Sequence, residues 1–441
     1  MSKTLATLAQ KMLKAALKAV DPFQLITEQL RIENDRLLVH QQTFDLNRYR
    51  HIYVVGAGKA SGQMALAIEK LLGPRIDDGL IVVKYGHGAP TQKIRILEAG
   101  HPVPDQNTLI GGEEILHLAE KAGEDDLVII LLSGGGSALM EALPEPLTLD
   151  DLQKLNEILL GCGATIQEIN AVRKHISRIK GGQLARAVAP ATGLTFILSD
   201  VIGDPLDSIA SGPTVPDPTT FKDAWQVLER YHILERVPPR ILRYLEHGLN
   251  QKINETPKQE QAFFKAIYNF ILGNNLRALT RAAQVARAHG VTPLILTDRL
   301  QGEVREIAQL LGGIFASSLK NDLPLGSPGC LLLGGEPTVT LKGKGKGGRN
   351  QEMALAVLTA LGRQNKPFYF CSVGTDGTDG PTDAAGAWID ESTWQKVEAL
   401  NLSPETFLAH NDSYHFFKAL DQLIVTGPTG TNVMDLLLFL R

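Results

Sequence analysis

Apolar residues along this chain recur in two rhythms, and the switches between them predict its elements. Over residues 3–47 they fall at helical spacing, with Leu5, Leu8, Met12, Ala15 and Leu17 on one face, which predicts two or three amphipathic helices. From residue 51 the rhythm changes. A short β-branched run at 51–55 leads into GAGKASG and then a helical stretch ending at Leu72. Further strands are predicted over 79–84 (GLIVVK), 127–132 (LVIILL) and 194–198 (LTFIL), the last two closed by SGGGS and SDVIGD. LVIILL has no polar member, the pattern of a strand buried on both faces. Helices are predicted over 150–160 and 170–188. Strand, glycine-rich turn and helix in repetition specify parallel βαβ units and an α/β sheet covered on both sides.

Around 250–261 (NQKINETPKQEQ) the chain turns polar and loses periodicity, which predicts a boundary between an N-terminal domain, 1–255, and a C-terminal domain, 262–441. A second alternation follows. Strands are predicted at 270–272, 293–296, 329–333 and 368–373, and helices at 276–289, 301–319 and 350–361. A closing apolar helix is predicted after GPTGTN at 427–432.

The 441 residues are ample for two or three cores. A formal charge of −4 argues against a nucleic-acid or anionic-membrane partner. Three widely spaced cysteines (Cys162, Cys330, Cys371) form neither a disulfide framework nor a zinc motif, so buried thiols in a reducing compartment are expected. The first twenty residues lack a signal-like apolar block, and no stretch reaches the ~18–20 apolar residues of a spanning helix. A cytoplasmic protein is expected. Glycine is the outlier: 42 residues, against a usual ~7% of a chain.

Those glycines cluster at strand ends beside charged residues. Gly56-Ala57-Gly58-Lys59-Ala60-Ser61-Gly62 lets a turn approach a ligand at a helix N-terminus. A dinucleotide site is one reading, but the next strand ends in Lys84 where an acid should meet the ribose. Lys59 points instead to phosphate or carboxylate. Ser133-Gly134-Gly135-Gly136-Ser137 offers a nest of N–H donors suited to phosphate, without the spacing of a Walker loop. Asp200 stands at the carboxyl end of a buried strand, where carboxylates hold Mg²⁺; Asp204 reads equally as ligand or turn residue.

Glu336 precedes a run of cations on glycine spacers, Lys342, Lys344, Lys346 and Arg349. The spacers suggest mobile lysines able to capture a polyphosphate, and Arg349, before a helix, has the planar fork for bidentate anion binding. In GTDGTDG, Asp376 is the preferred acid, while Asp379 and Asp383 read as turn caps. His101, in a proline-rich loop, reads as a hydrogen-bonded structural residue. Nests, cations and strand-end acids are the equipment of phosphoryl transfer.

Eight ordered blocks, among them VVGAGKASGQMA, LLSGGGSAL, INAVRKHISRIKGGQLA, LSDVIGDPLDSIASGPTVPDPTT, GGEPTVTLKGKGKGGRNQEMALA and TGPTGTNVMD, make the chain resemble the type-II glycerate kinases, which carry a C-terminal MOFRL domain. The resemblance implies two α/β domains, a Rossmann-like parallel sheet followed by a MOFRL-type domain, with the active site in the cleft between them. It implies phosphorylation of D-glycerate to 2-phosphoglycerate by ATP and Mg²⁺, and leaves room for a homodimer. The family's active-site lysine and arginine fall on Lys59 and Arg349. The implied nucleotide-side groups are Gly58, Ser133, Gly134, Gly135, Gly136, Ser137, Glu336 and Lys346; metal candidates are Asp200, Asp204 and Asp376. Asp200 and Asp376 are both open as proton acceptor. The alternative is an NAD(P)H-dependent hydroxypyruvate reductase; a non-catalytic sensor of sugar acids or nucleotides ranks behind it.

Overall fold

The computed structural model describes residues 2–441, which divide into two compact units. One is continuous, Pro22–Leu272; the other joins Gly273–Arg441 to the described residues up to Asp21. No helix among the described residues is long and apolar enough to cross a membrane.

The continuous unit opens with the helix Pro22–Gln29 and three short antiparallel strands, β1 (Leu30–Glu33), β2 (Arg36–Val39) and β3 (Gln42–Asp45). Helix was expected over this stretch. The reason for the difference is a two-residue hairpin: Glu33 pairs with Arg36, and Asn34 and Asp35 between them take φ of 49° and 59°. Asn and Asp tolerate the left-handed backbone, and two such residues in succession match the twist of the flanking strands.

Its main sheet contains β4 (Ile52–Ala57), β5 (Asp78–Lys84), β6 (Ile94–Ala99), β7 (Leu127–Leu132), β8 (Thr192–Leu198) and β9 (Ile267–Gly273), in the order β6-β5-β4-β7-β8-β9. The ladders from β6 to β8 are parallel. This is the doubly wound order of a Rossmann-like sheet, as expected. Chain order runs outward in both directions from β4 and β7, so a crevice opens beyond the carboxyl ends of these two strands, where such sheets bind ligands. β4 and β7 are buried along their whole lengths, and the helix Gln106–Glu120 lays Ile115 and Ala119 into the core with Val55, Val82 and Ile130.

The helix expected over 170–188 is two helices, Ile166–Lys174 and Gln183–Val188. Gly181 and Gly182, at φ of 57° and 81°, turn the chain between them, and Lys180 just before the turn is buried. The boundary expected near 255–262 also moves. The polar run there is tied into the continuous unit: Glu255 accepts from the Phe221 amide (3.0 Å) and pairs with buried His175 (2.8 Å), and Thr256 donates to buried Asp217 (2.9 Å). Its polarity serves internal hydrogen bonds rather than a linker, and the chain then adds β9 before leaving the unit.

The second unit holds β10 (Thr292–Leu300), β11 (Gly329–Gly335), β12 (Tyr369–Gly374), β13 (Gly386–Asp390), β14 (Leu423–Ile424) and β15 (Asp435–Leu440), ordered β10-β11-β15-β12-β13-β14. β10 and β11 are parallel; β15 runs antiparallel to both neighbours. The closing helix expected from the sequence is this central strand. A fully buried strand and a buried helix give the same unbroken apolar run, and six residues are too few for a helix to declare itself. Phe315, from the helix Val304–Asn321, stacks on Phe439 with ring centroids 4.1 Å apart.

The first helix, Ser2–Ala19, packs on the helix Asn275–Ala288 of this unit, burying Leu8, Met12, Leu13 and Ala16. Arg277 Nε donates to the Ala19 carbonyl (2.9 Å) and Thr431 to that of Val20 (2.6 Å). The buried face is rotated from the expected one, because Leu5, Ala15 and Leu17 are only half-buried.

Candidate active site

Two loops meet at the switch point of the parallel sheet. The first leaves β4 at Gly58, whose φ is 143°; a Cβ there would fall 2.1 Å from Ser133 Oγ of the second loop, so only glycine allows the approach. The loops are then fastened together. The Lys59 amide donates to the Gly134 carbonyl (2.9 Å), the Ala60 amide to Ser133 Oγ (3.0 Å), and the Ser61 and Ser133 hydroxyls share a hydrogen bond of 3.0 Å. Gly58 spends its own amide on the Val82 carbonyl (3.1 Å). Gly58 and Ser133 therefore act as fasteners. The amides of Gly134 and Gly135 have no acceptor among the described residues, whereas that of Gly136 closes a turn onto Ser133.

Beside these loops lies a cavity of about 300 Å³, wholly within the continuous unit. Its wall includes His101, Ser137, Asn170, Arg173, Lys180 and Asp200. Asp200 lies against Gly134, where a Cβ would stand 2.0 Å from Oδ2. The His101 ring covers Gly135, and burial, reinforced by the charges of Lys59 and Lys84, pushes its pKa down to about 4. His101 therefore stays neutral near neutral pH. Ser137 and Ser211 share a hydroxyl hydrogen bond (2.9 Å), and Ser211 donates to Asn170 Oδ1 (3.1 Å). Lys180 is buried and neutralised by Glu141.

Asp204 follows in the same loop as Asp200, at φ 56° with its amide on the Val201 carbonyl (3.1 Å), and is not part of the cavity wall. Among the described residues no three His, Cys, Asp or Glu side chains gather as a ready-made metal cage. A cation here would draw on one or two carboxylates and complete its shell from phosphate and water, the habit of Mg²⁺.

In the second unit, Arg349 begins the helix Arg349–Leu361. Buried Asp435 grips it bidentately, accepting from Nε (2.6 Å) and Nη2 (3.1 Å), while Nη1 donates to Glu336 (2.8 Å). Burial raises the Asp435 carboxyl to about 6 against the pull of Arg349, and the two carboxylates outweigh desolvation in raising the pKa of the guanidinium. Asp379, expected to cap a turn, instead serves the first turn of this helix, accepting from the amides of Asn350 (3.0 Å) and Gln351 (2.8 Å). Asp376 spends Oδ1 on the Thr378 amide and hydroxyl, both at 3.0 Å.

The lysine-rich loop differs from expectation. Its glycines allow close packing: a Cβ at Gly347 would stand 2.2 Å from Ser413 Oγ, the Gly345 amide donates to the His410 carbonyl, and that of Lys346 to Asp412 (2.9 Å each). The ammonium of Lys346 lies over the Tyr414 ring, 4.5 Å from its centroid. The spacers pin the loop rather than loosen it.

The structure gathers Gly58, Lys59, Asp200 and the 133–137 loop at one place in one unit, and Glu336 with Arg349 in the other. Two neighbours of these groups carry little signal in the sequence: Asp435, a lone acid at the head of an apolar run, and Arg173, which looks like one of several cations on an amphipathic helix.

Residues 8–246 match the family described as "Domain of unknown function (DUF4147)", and residues 329–435 match the MOFRL family. A glycerate 2-kinase of Pyrococcus horikoshii is 41% identical over 96% of this chain and 94% of its own. A putative hydroxypyruvate reductase of Agrobacterium vitis is 43% identical over 87% of this chain and 85% of its own. The crystal structure of a glycerate kinase from Thermotoga maritima superposes with a TM-score of 0.88 at 40% identity, covering 99% of each chain. With both domains matched and the likeness running nearly end to end, the chain belongs to the type-II glycerate kinase family.

Proposed function

We infer that this protein transfers the γ-phosphoryl group of ATP, with Mg²⁺, to D-glycerate and releases 2-phosphoglycerate. The observation that carries this reading is the meeting of Lys59, the 133–137 loop and Asp200 at the switch point of the parallel sheet. Phosphoryl transfer asks for positioning and charge neutralisation more than for covalent help. The unengaged amides of Gly134 and Gly135 suit phosphate oxygens, and Lys59 presents a cation to the group in flight. In the second unit, Asp435 fixes two nitrogens of Arg349 while the third faces half-exposed Glu336. A ligand anion that displaces Glu336 meets a guanidinium already oriented. Lys346, held on its loop, adds positive charge on that side.

Asp200 and Asp204 would hold Mg²⁺ on the continuous unit; in the second unit Asp376 is the metal candidate, with Oδ1 already taken by Thr378. When bound, the cation offsets the charge of the triphosphate. The 2-hydroxyl of glycerate attacks the γ-phosphorus, the bond to the bridging oxygen breaks, ADP departs, and the hydroxyl proton passes to a carboxylate. Asp200, on the cavity wall, is the acceptor that the continuous unit supplies. A nicotinamide enzyme meets a mismatch here, since β5 ends in Lys84 rather than in an acid for the ribose.

The test is a coupled assay with ATP, Mg²⁺ and D-glycerate, with the product identified by phosphorus NMR. The expected product is 2-phosphoglycerate, abolished by EDTA. A 3-phospho product would retain the kinase and correct the seat of glycerate. Oxidation of NADPH with hydroxypyruvate, and no phosphorylated product, would overturn the reading in favour of the reductase.

A further inference from the structure

Three buried or half-buried cations border the helix Ile166–Lys174 and the turn after it, and two have counter-charges. Lys174 pairs with buried Asp217 (3.3 Å) and Asp207 (3.5 Å), and Lys180 with Glu141. Arg173 is the exception. Its Nε donates to Asn156 Oδ1 (2.7 Å), and no carboxylate among the described residues lies within ion-pair distance. The carboxylate whose charge acts on it, Glu141, is already engaged by Lys180 and by the Ser177 hydroxyl. A guanidinium stays charged, and a half-buried charge without a partner is unfavourable unless something arrives to pair with it.

Arg173 lines the 300 Å³ cavity beside the switch-point loops. Asn170, one helical turn earlier, lines it too; its Oδ1 accepts from Ser211, leaving Nδ2 with no acceptor among the described residues. Ser137 and Asp200 close the wall toward the loops that carry Lys59. The volume sits at the floor of the ~300–1,000 Å³ usual for small-molecule sites, enough for a three-carbon acid and too little for a nucleoside triphosphate.

We propose that Arg173, with the Asn170 amide beside it, binds the carboxylate of the acceptor hydroxy acid and so turns its hydroxyl toward Lys59 and Asp200. This assignment rests on the kinase reading for the identity of the acid, and the planar fork favours a carboxylate over a single-point anion contact.

Arg173→Met keeps the bulk of the stem and removes the charge. Its KM for D-glycerate should rise about 10- to 100-fold, the usual range for a charge-assisted pair, with the KM for ATP within about twofold of the parent. Glycerol, which lacks the carboxylate, should be phosphorylated equally poorly by parent and variant. A glycerate KM within twofold of the parent overturns the proposal. So does a rise confined to the ATP KM, which would assign the cavity to nucleotide phosphate. If Arg173→Met fails to fold, Arg173→Lys keeps the charge without the fork, and its glycerate KM should still rise several-fold; an unchanged value again overturns it. Thermal stabilisation by D-glycerate alone separates this claim from the kinase reading. A parent that is stabilised by the acid but transfers no phosphate disproves the reaction and keeps the site, provided that Arg173→Met loses the stabilisation.

Discussion

At the scale of single residues, the charges of this protein divide into those already spent and those still available. Lys180, Lys174 and two nitrogens of Arg349 are spent on buried carboxylates; the third nitrogen of Arg349 meets half-exposed Glu336, and Lys59 and Arg173 have no ion-pair partner among the described residues. Lys59→Ala should therefore lower kcat by at least about 100-fold while the melting temperature moves by only a few degrees, because no internal ion pair is lost. A folded variant with parental turnover would remove Lys59 from the mechanism. Asp435 carries a pH signature. Between about pH 4 and 6 its carboxyl, raised to about 6, holds a proton in the folded protein that an unfolded chain, titrating near ~4, has released. Its contribution thus favours folding below about pH 4 and fades as the pH rises through 6. Denaturation midpoints should accordingly fall more between pH 4 and 6 for the parent than for Asp435→Asn, and parallel profiles would mean that this carboxyl titrates normally. The sequence shows both acids and cations, but not which are neutralised: the partners of Arg349 lie 13 and 86 positions away.

Among the elements, the parallel strands are the most legible. LVIILL coincides with β7 residue for residue, and β4, β5 and β8 agree within two residues at each end, because a short apolar run closed by glycine and followed by a helical stretch fits little besides a buried parallel strand. β15 misleads because it lacks that context: at the end of the chain, an apolar run says buried without saying strand. The hairpin at Asn34–Asp35 has a legible turn signal, overridden by four-residue strands too short to show alternation. The glycine loops are legible as a candidate site, though their division of labour is not. Ser133 looks like a phosphate ligand in sequence and serves in the structure as the fastener between two loops. Ser133→Ala leaves the Ala60 amide and the Ser61 hydroxyl without that partner in a buried place. It should reduce stability by about 1–3 kcal/mol, read by denaturant titration. A neutral result would return Ser133 to the ligand side.

Across the whole molecule, the two-domain α/β architecture is legible, whereas the division of the chain between the units is not. Local pattern cannot reveal that the first helix rests on Asn275–Ala288, since that contact spans more than 250 positions. Removing residues 1–20 should raise hydrogen exchange in Asn275–Ala288 and leave β4 and β7 protected. Equal loosening of both units would contradict the division.

That division also sets a timetable for synthesis. The ribosome delivers the first helix with Leu8, Met12 and Leu13 ready to be covered, yet the surface that covers them belongs to residues made after position 272. At translation speeds of roughly 5–20 residues per second, this apolar stripe waits on the order of 10–50 s. Throughout that interval the stripe stays without the surface that buries it in the finished protein, which arrives only with the C-terminal half of the chain.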